Sequence, residues 1–328
     1  MVGFSFGMSC RVASMMVLLC MIGTGAEAGT TILNTGKRLL SAARSANGRI
    51  GMLYRAEDTG SSGYGSMYGS GPLQYVELTK DGAKTIEEEI ASSELDCYGF
   101  YTLALDDDGV PHMVCYTMYN QTLLHFSRKN GIWSQETVGT ASLYENVMYV
   151  RIGPKGSVHA INLRSPYDTG TLVITYATNQ SGIWNMTTTT FPESAKMRQS
   201  GWDFAVDSMG AVHLACGLQE QLDEAVTWPG SLCYFTNAGG TWSEERIATR
   251  STASWDGSFR DPSIAIGPGD RPAIAAHLKY NVLTGSDALS RLVFACRTNT
   301  GWGLDVLAET ADNYFGSDGG HFTGLRPQ

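Results

Sequence analysis

The sequence predicts an all-β protein, a β-propeller of four-stranded antiparallel blades, on three observations. The first is a repeat: Thr102 to Val138, TLALDDDGVPHMVCYTMYNQTLLHFSRKNGIWSQETV, is written again from Met148, Trp202 and Arg260. The second is the grammar of each copy: apolar strand, Gly turn, strand, loop, strand ending in an aromatic, then a turn with Asn or Gly before a Trp. That is a four-stranded meander. The third is composition, with 43% hydrophobic side chains and 38 Gly in 328 residues, which suits a large, turn-rich core with few helical periods.

Spacing separates what is fixed from what varies. From the third-strand aromatic to the Trp the step is seven for Phe126 to Trp133, and eight for Tyr176 to Trp184, Tyr234 to Trp242 and Phe294 to Trp302. From the turn glycines Gly109, Gly156, Gly210 and Gly269 to the same tryptophans it grows through 24, 28, 32 and 33. The growth therefore lies between strands two and three. In a meander those loops share one face with the repeat-to-repeat links, and loops on a rigid scaffold are where binding is usually built. The near-constant step predicts that the four tryptophans are buried core.

Taken in order, residues 1–28 read as a signal peptide. Arg11 precedes the apolar run VASMMVLLCMIG, and Ala26-Glu27-Ala28 has the small-x-small form of a cleavage site. The run is too short to span a bilayer, so residues 29–328 are expected as one secreted propeller domain, extracellular or periplasmic, without a membrane span. A degenerate first repeat follows: a strand from Arg38 to Arg44, the turn Asn47-Gly48, the strand RIGMLYRAED, then PLQYVELTK and TIEEEIA joined by Asp81-Gly82. Its loop TGSSGYGSMYGSG reads either as a flexible connector or as a recognition loop presenting Tyr64 and Tyr68. At the other end, Gly320 to Leu325 matches the lead-in and first strand of another repeat. Five repeats and the first strand of a sixth are thus visible, predicting an incomplete ring or a five-bladed ring with the tail strand added at its seam.

The formal net charge of −9 provides no basic footprint, so nucleic acid is a poor partner. Of the five cysteines beyond the leader, Cys115, Cys216, Cys233 and Cys296 fall in strands two and three and read as small buried hydrophobes; Cys216 and Cys233 are candidates for a cross-strand bridge, and Cys97 lies between repeats. No spacing suggests zinc, and Asp106, Asp107 and Asp108 before Gly109 read as a turn without further calcium ligands. His112, His159 and His213 each stand three residues after a turn glycine, in three different blades on the short-turn face, so a structural role is expected rather than a metal site. No cofactor is implied.

The turns before strand four, FSRKNGIW, ATNQSGIW, FTNAGGTW and CRTNTGW, are similar to the Asp-box hairpin, Ser-x-Asp-x-Gly-x-Thr-Trp, of the bacterial neuraminidase repeat and of sialidase-like propellers. Asn179 and Asn237 stand where that box has Asp, Arg128 and Arg297 stand there elsewhere, and the leading Ser is missing. From Gly48 onward the repeats resemble a widespread secreted bacterial propeller. The resemblance implies the fold; its shared residues are scaffold.

For an enzymatic sialidase the resemblance implies an arginine cluster, a Tyr/Glu nucleophile pair and an acid Asp. The nearest motif, Phe259-Arg260-Asp261-Pro262, is similar to the Phe-Arg-Ile-Pro segment of that family but departs at Asp261 and stands in the fifth repeat. Arg55, Arg151, Arg164 and Arg260 are candidates to line one cup, gripping carboxylates bidentately; the alternative is salt-bridged strand ends. The weak catalytic candidates are Arg260, Asp261 and Arg151. Carboxylates expected on the loop face are Asp203, Glu220, Asp223, Glu224, Asp256 and Asp261, without a recognisable pair at the separation that glycoside hydrolysis needs. His277 and His321 are the histidines expected there. No nucleophile elbow, phosphate loop or zinc-protease helix is present. The expected function is binding of carbohydrate or another extracellular ligand through Tyr64, Tyr68, Arg55, Arg151, Arg164, Trp202, Trp228, Trp255 and Arg260. The alternative is a sialidase-like glycoside hydrolase or polysaccharide lyase acting on an acidic glycan.

Overall fold

The computed structural model describes residues 37–56, 73–91, 102–117, 121–140, 148–164, 171–191, 197–220, 230–250, 258–280 and 288–312. They form five four-stranded antiparallel sheets, each with its strands in sequence order, so the chain is an all-β protein of propeller class. Blade one is β1 (Lys37–Arg44), β2 (Ile50–Ala56), β3 (Leu73–Leu78) and β4 (Lys84–Ala91). Blade two is β5 (Thr102–Leu105), β6 (Pro111–Thr117), β7 (Thr122–Lys129) and β8 (Ile132–Thr140); blade three is β9 (Tyr149–Ile152), β10 (Val158–Arg164), β11 (Leu172–Thr178) and β12 (Asn185–Phe191). Blade four is β13 (Met197–Val206), β14 (Val212–Glu220), β15 (Gly230–Thr236) and β16 (Ser243–Arg250). Blade five is β17 (Ser258–Gly267), β18 (Arg271–Tyr280), β19 (Ala288–Thr298) and β20 (Gly301–Asp312). No α-helix occurs among the described residues; the single helical turn is Pro154–Gly156. The expected sixth-repeat strand at Gly320 to Leu325 lies outside the described residues, as does the leader.

In blade two, strands two and three are apolar on both sides because that sheet is covered on both faces. All seven residues of β6 are buried, and successive side chains point opposite ways. Met113 and Cys115 join Leu53, Leu73 and Tyr75 of blade one in one core. Val114 and Tyr116 join Met148, Val150, Val158 and Ala160 of blade three in the next. Fourth strands form the rim, and β8 buries only Val138.

The short turns are tied locally. Asp106 Oδ1 accepts the Val110 amide at 2.7 Å, and Asp207 Oδ1 accepts those of Met209 and Ala211 at 2.9 and 2.8 Å. At the box-like turn of blade three, Asn179 Oδ1 accepts the Val158 amide at 2.7 Å while its own amide donates back to the Val158 carbonyl. The residue at the Asp position is therefore spent on the scaffold.

Cys216 and Cys233 are register partners on adjacent strands, yet they form no disulfide, and neither do Cys115 and Cys296. The expected bridge candidate is not formed, and complete burial pushes the Cys216 thiol up. Cys97 lies outside the described residues. The blades fall into two compact bodies: blades one to three with Ala205–Val212, and the remainder of blade four with blade five.

Candidate functional site

Antiparallel register locates the sequence-predicted site residues along their blades. Arg55 pairs with Arg38 at the loop end of blade one and is buried. Arg164 pairs with Val173 at the loop end of blade three. Arg151 pairs with His159, one step from the short turn. Five residues of extended strand then separate the levels of Arg151 and Arg164, about 17 Å at ~3.4 Å per residue. Within blade three these two arginines do not meet, so a cup containing all four as drawn from the sequence is not assembled. Tyr64, Tyr68, Trp228 and Trp255 lie outside the described residues, as do Asp223, Glu224, Asp256 and His321.

In the second body the loop end carries a defined arrangement. Arg260 pairs with His277, and the register then slips between Arg260 and Ser263. The slip is a β-bulge, a device that re-aims side chains and is common beside functional sites. Within it Asp261 has φ 46°, a left-handed conformation unfavourable for a residue with a Cβ, and Pro262 follows it. Opposite the bulge, Gly201 has φ 121° and comes so close that a Cβ there would lie 2.8 Å from the Asp261 amide nitrogen. Asp203, 4% exposed, accepts the Ser263 hydroxyl at 3.3 Å and the Ile264 amide at 3.2 Å through Oδ2. That oxygen ties β13 to β17, so Asp203 serves the scaffold. Asp261 is exposed, and Arg260, Trp202 and His277 are partly exposed.

At the short-turn side of the same body a cleft of about 560 Å³ opens between blades four and five, lined by His213, Tyr234, Glu244, Glu245, Asp270 and Arg297 among others. Arg297 pairs with Glu245, and Arg246 lies 3.9 Å from Glu244. The cleft was not legible in sequence, because its lining comes from strands two, three and four of blade four and from the first turn and strands two and three of blade five.

The four repeat tryptophans are half-buried, not core as expected, and Trp133, Trp184 and Trp302 sit at the seams between blades. Trp133 donates its indole N–H to Glu88 of blade one at 2.7 Å and stands edge-on to Tyr75; Arg128 grips the same carboxylate through two nitrogens. Trp184 donates to Glu136 of blade two at 3.0 Å and packs on His125. Trp302 stands edge-on to Tyr234 with the Arg297 guanidinium over its ring at 5.5 Å, and its buried Nε1 makes no hydrogen bond.

The turn histidines His159 and His213 pair with rings on the third strands of their own blades. His159 Nδ1 meets Tyr176 Oη at 2.8 Å, and His213 pairs in the same way with Tyr234. Each partner stands two residues before the residue opposite the histidine, Thr178 or Thr236. In blade two the residue opposite His112 is Ser127, so the position belongs to His125, not to Phe126. Counted from His125 the step to Trp133 becomes eight, like the other three. Burial lowers His125 and His159 to about 4. Among the described residues no group of three His, Cys, Asp or Glu side chains is placed to hold a metal ion, and no helix is long and apolar enough to cross a membrane.

No protein-family model matches the chain, and no curated protein matches it significantly. Among solved structures it is similar to a protein of unknown function from Dyadobacter fermentans DSM 18053, at 11% identity and TM-score 0.47 over 83% of this chain and 94% of that one. It is similar to a polysaccharide lyase of family PL25, an ulvan lyase bound to -[GlcA(1-4)Rha3S]-, at 9% identity and TM-score 0.45 over 87% and 73%. A leech intramolecular trans-sialidase complexed with 2,7-anhydro-Neu5Ac is similar at 10% identity and TM-score 0.45 over 88% and 64%.

Proposed function

We propose that this is a secreted binding propeller that takes carbohydrate, or another hydroxyl-rich extracellular ligand, on the loop ends of its blades. In the second body Trp202, Arg260 and Asp261 are the contact residues. The observation that carries the reading is the bulge. A non-glycine residue held at positive φ costs of order 1–3 kcal/mol and persists where the local shape is useful. Here the bulge holds Asp261 exposed at the loop end of β17, next in sequence to the partly exposed Arg260. A carboxylate and a guanidinium fork together accept from and donate to vicinal hydroxyls, and an indole offers an apolar face to a sugar ring.

The test is a glycan-array screen followed by calorimetric titration of the best hit against the wild type, Arg260→Ala and Asp261→Ala. Both variants should weaken binding at least tenfold with unchanged cooperative unfolding; unchanged affinity in both defeats the proposal. The second reading, cleavage of an acidic glycan, rests on His277 standing opposite Arg260, where a titratable ring is available for proton transfer. Release of reducing ends or of unsaturated sugar from the bound glycan, abolished in His277→Ala, would favour it over binding alone.

A further inference from the structure

Blade two differs from its neighbours in one respect that the binding reading does not use. At the place where blades three and four put Tyr176 and Tyr234 it puts His125, so two imidazoles stack, 5.3 Å between centroids and 10° from parallel. They form the middle of a chain. Asp106 Oδ2 lies 3.5 Å from His112 Nε2, His112 Nδ1 lies 3.1 Å from His125 Nε2, and His125 Nδ1 lies 3.3 Å from Glu136 Oε2. The same Glu136 oxygen accepts the Trp184 indole of blade three. The charged groups facing the pair are Asp106 from the turn after β5 and Glu136 from β8. From β7 and β6 come the rings themselves, and the contact from blade three is Trp184, which does not titrate.

Counting protons along this chain shows how it works. Three contacts end on two carboxylates, so all three need a proton, and two neutral imidazoles bring only two. The two shorter contacts are satisfied if His112 donates from Nδ1 to His125 Nε2 and His125 donates from Nδ1 to Glu136. The contact left without a proton is then the longest, His112 Nε2 to Asp106. A first added proton has a seat there, between an imidazole and a carboxylate. A second has none: it must enter His125 Nε2, which is already accepting from His112, and it places two cations face to face in a buried stack.

We propose that His112 and His125 form a proton-operated latch on the seam between blades two and three, closed with up to one added proton and opened by the second. The sign follows from burial. Both rings are held below their ordinary value of 6.5, and His125 is lowered to about 4 by burial and by the neighbouring His112. In an opened seam the rings return to water and bind protons near 6.5. The closed seam is therefore fully stable above pH ~6.5 and loses stability as pH falls from there towards 4. Glu136 is itself lowered, chiefly by the Trp184 hydrogen bond, which favours its ionised form as the acceptor at the end of the chain. The seam between blades one and two, built on Glu88, Arg128 and Trp133, has no histidine and serves as an internal control.

Hydrogen exchange of the amides of β8 and β12, corrected for intrinsic rates and measured from pH 7 to pH 4, reads the latch directly. The opening constant should rise about tenfold per pH unit for each proton taken up, while β4 at the control seam stays flat. His125→Tyr installs the residue of blades three and four and should flatten the β8 and β12 response. A wild-type response that is flat, or one that His125→Tyr leaves unchanged, overturns the proposal. If that variant does not fold, imidazole nitrogen spectra of the wild type decide. Two resolved titrations, both below 6.5 and the lower one coinciding with loss of β12 protection, support the latch. Either ring titrating at or above 6.5 overturns it.

Discussion

Asp261 is the residue whose conformation and chemistry pull in different directions. At φ 46° it is a site where glycine should be more comfortable. Asp261→Gly is expected to stabilise the fold by about 1 kcal/mol, the lower end of what such strain stores, while weakening ligand binding. Thermal unfolding and titration on the same sample check both halves, and a variant that binds normally would make the bulge a scaffold feature. Gly201 is its counterpart. Gly201→Ala must find room for a Cβ 2.8 Å from the Asp261 nitrogen and adopt a backbone angle that L-residues avoid. It is expected to cost about 2 kcal/mol or more, read as a lower denaturation midpoint, with the loss falling on β13 and β17 first.

At the scale of elements, the seams predict a contrast between two tryptophans that look identical in sequence. Trp133→Phe removes the N–H that Glu88 accepts and should cost about 1–2 kcal/mol, since a carboxylate loses a charged-group hydrogen bond. Trp302→Phe removes an N–H that makes no hydrogen bond and should cost clearly less. Equal losses by denaturant titration would show that ring area, not the hydrogen bond, sets the value of a seam. The strands themselves were legible because strands two and three bury at least one face, and in blade two both, which leaves apolar runs between Gly turns. Constant spacing to the Trp revealed a structural role but not burial, since a seam residue keeps its register as strictly as a core residue. Leu124, His125 and Phe126 are consecutive, and only the residue paired with His112 shows which ring faces the seam. Arg151 misled for a related reason. β9 has four residues where β17 has ten, so the same ordinal place in a first strand falls at opposite ends of two blades. The Tyr and Trp candidates in the long loops lie outside the described residues, and the bulge at Asp261 had only the Pro262 beside it as a sequence signal.

For the whole molecule, the histidines that burial lowers, His112, His125 and His159, predict how it answers acid. His159 is the clearest case because its neutral form is fully paired. Ser157 Oγ gives its proton to the Pro154 carbonyl at 2.9 Å and so accepts from His159 Nε2 at 3.0 Å, which leaves Nδ1 to accept the Tyr176 hydroxyl. These partners assign the tautomer. The ring is wholly buried, under Gly153, where a Cβ would lie 2.5 Å from Nε2. Its folded value of about 4 stands below the ordinary 6.5, so the unfolded chain binds more protons than the fold between those limits. Stability is complete above pH ~6.5 and declines as pH falls to about 4; at 1.36 kcal/mol per unit this one ring accounts for about 3 kcal/mol. Thermal unfolding should therefore shift downward steadily from pH 7 to pH 4.5. His159→Gln should be less stable than wild type at pH 7 yet lose less on acidification, so that the two curves approach one another. Parallel curves would mean that His159 is charged in the fold or solvated, and that the acid response arises elsewhere.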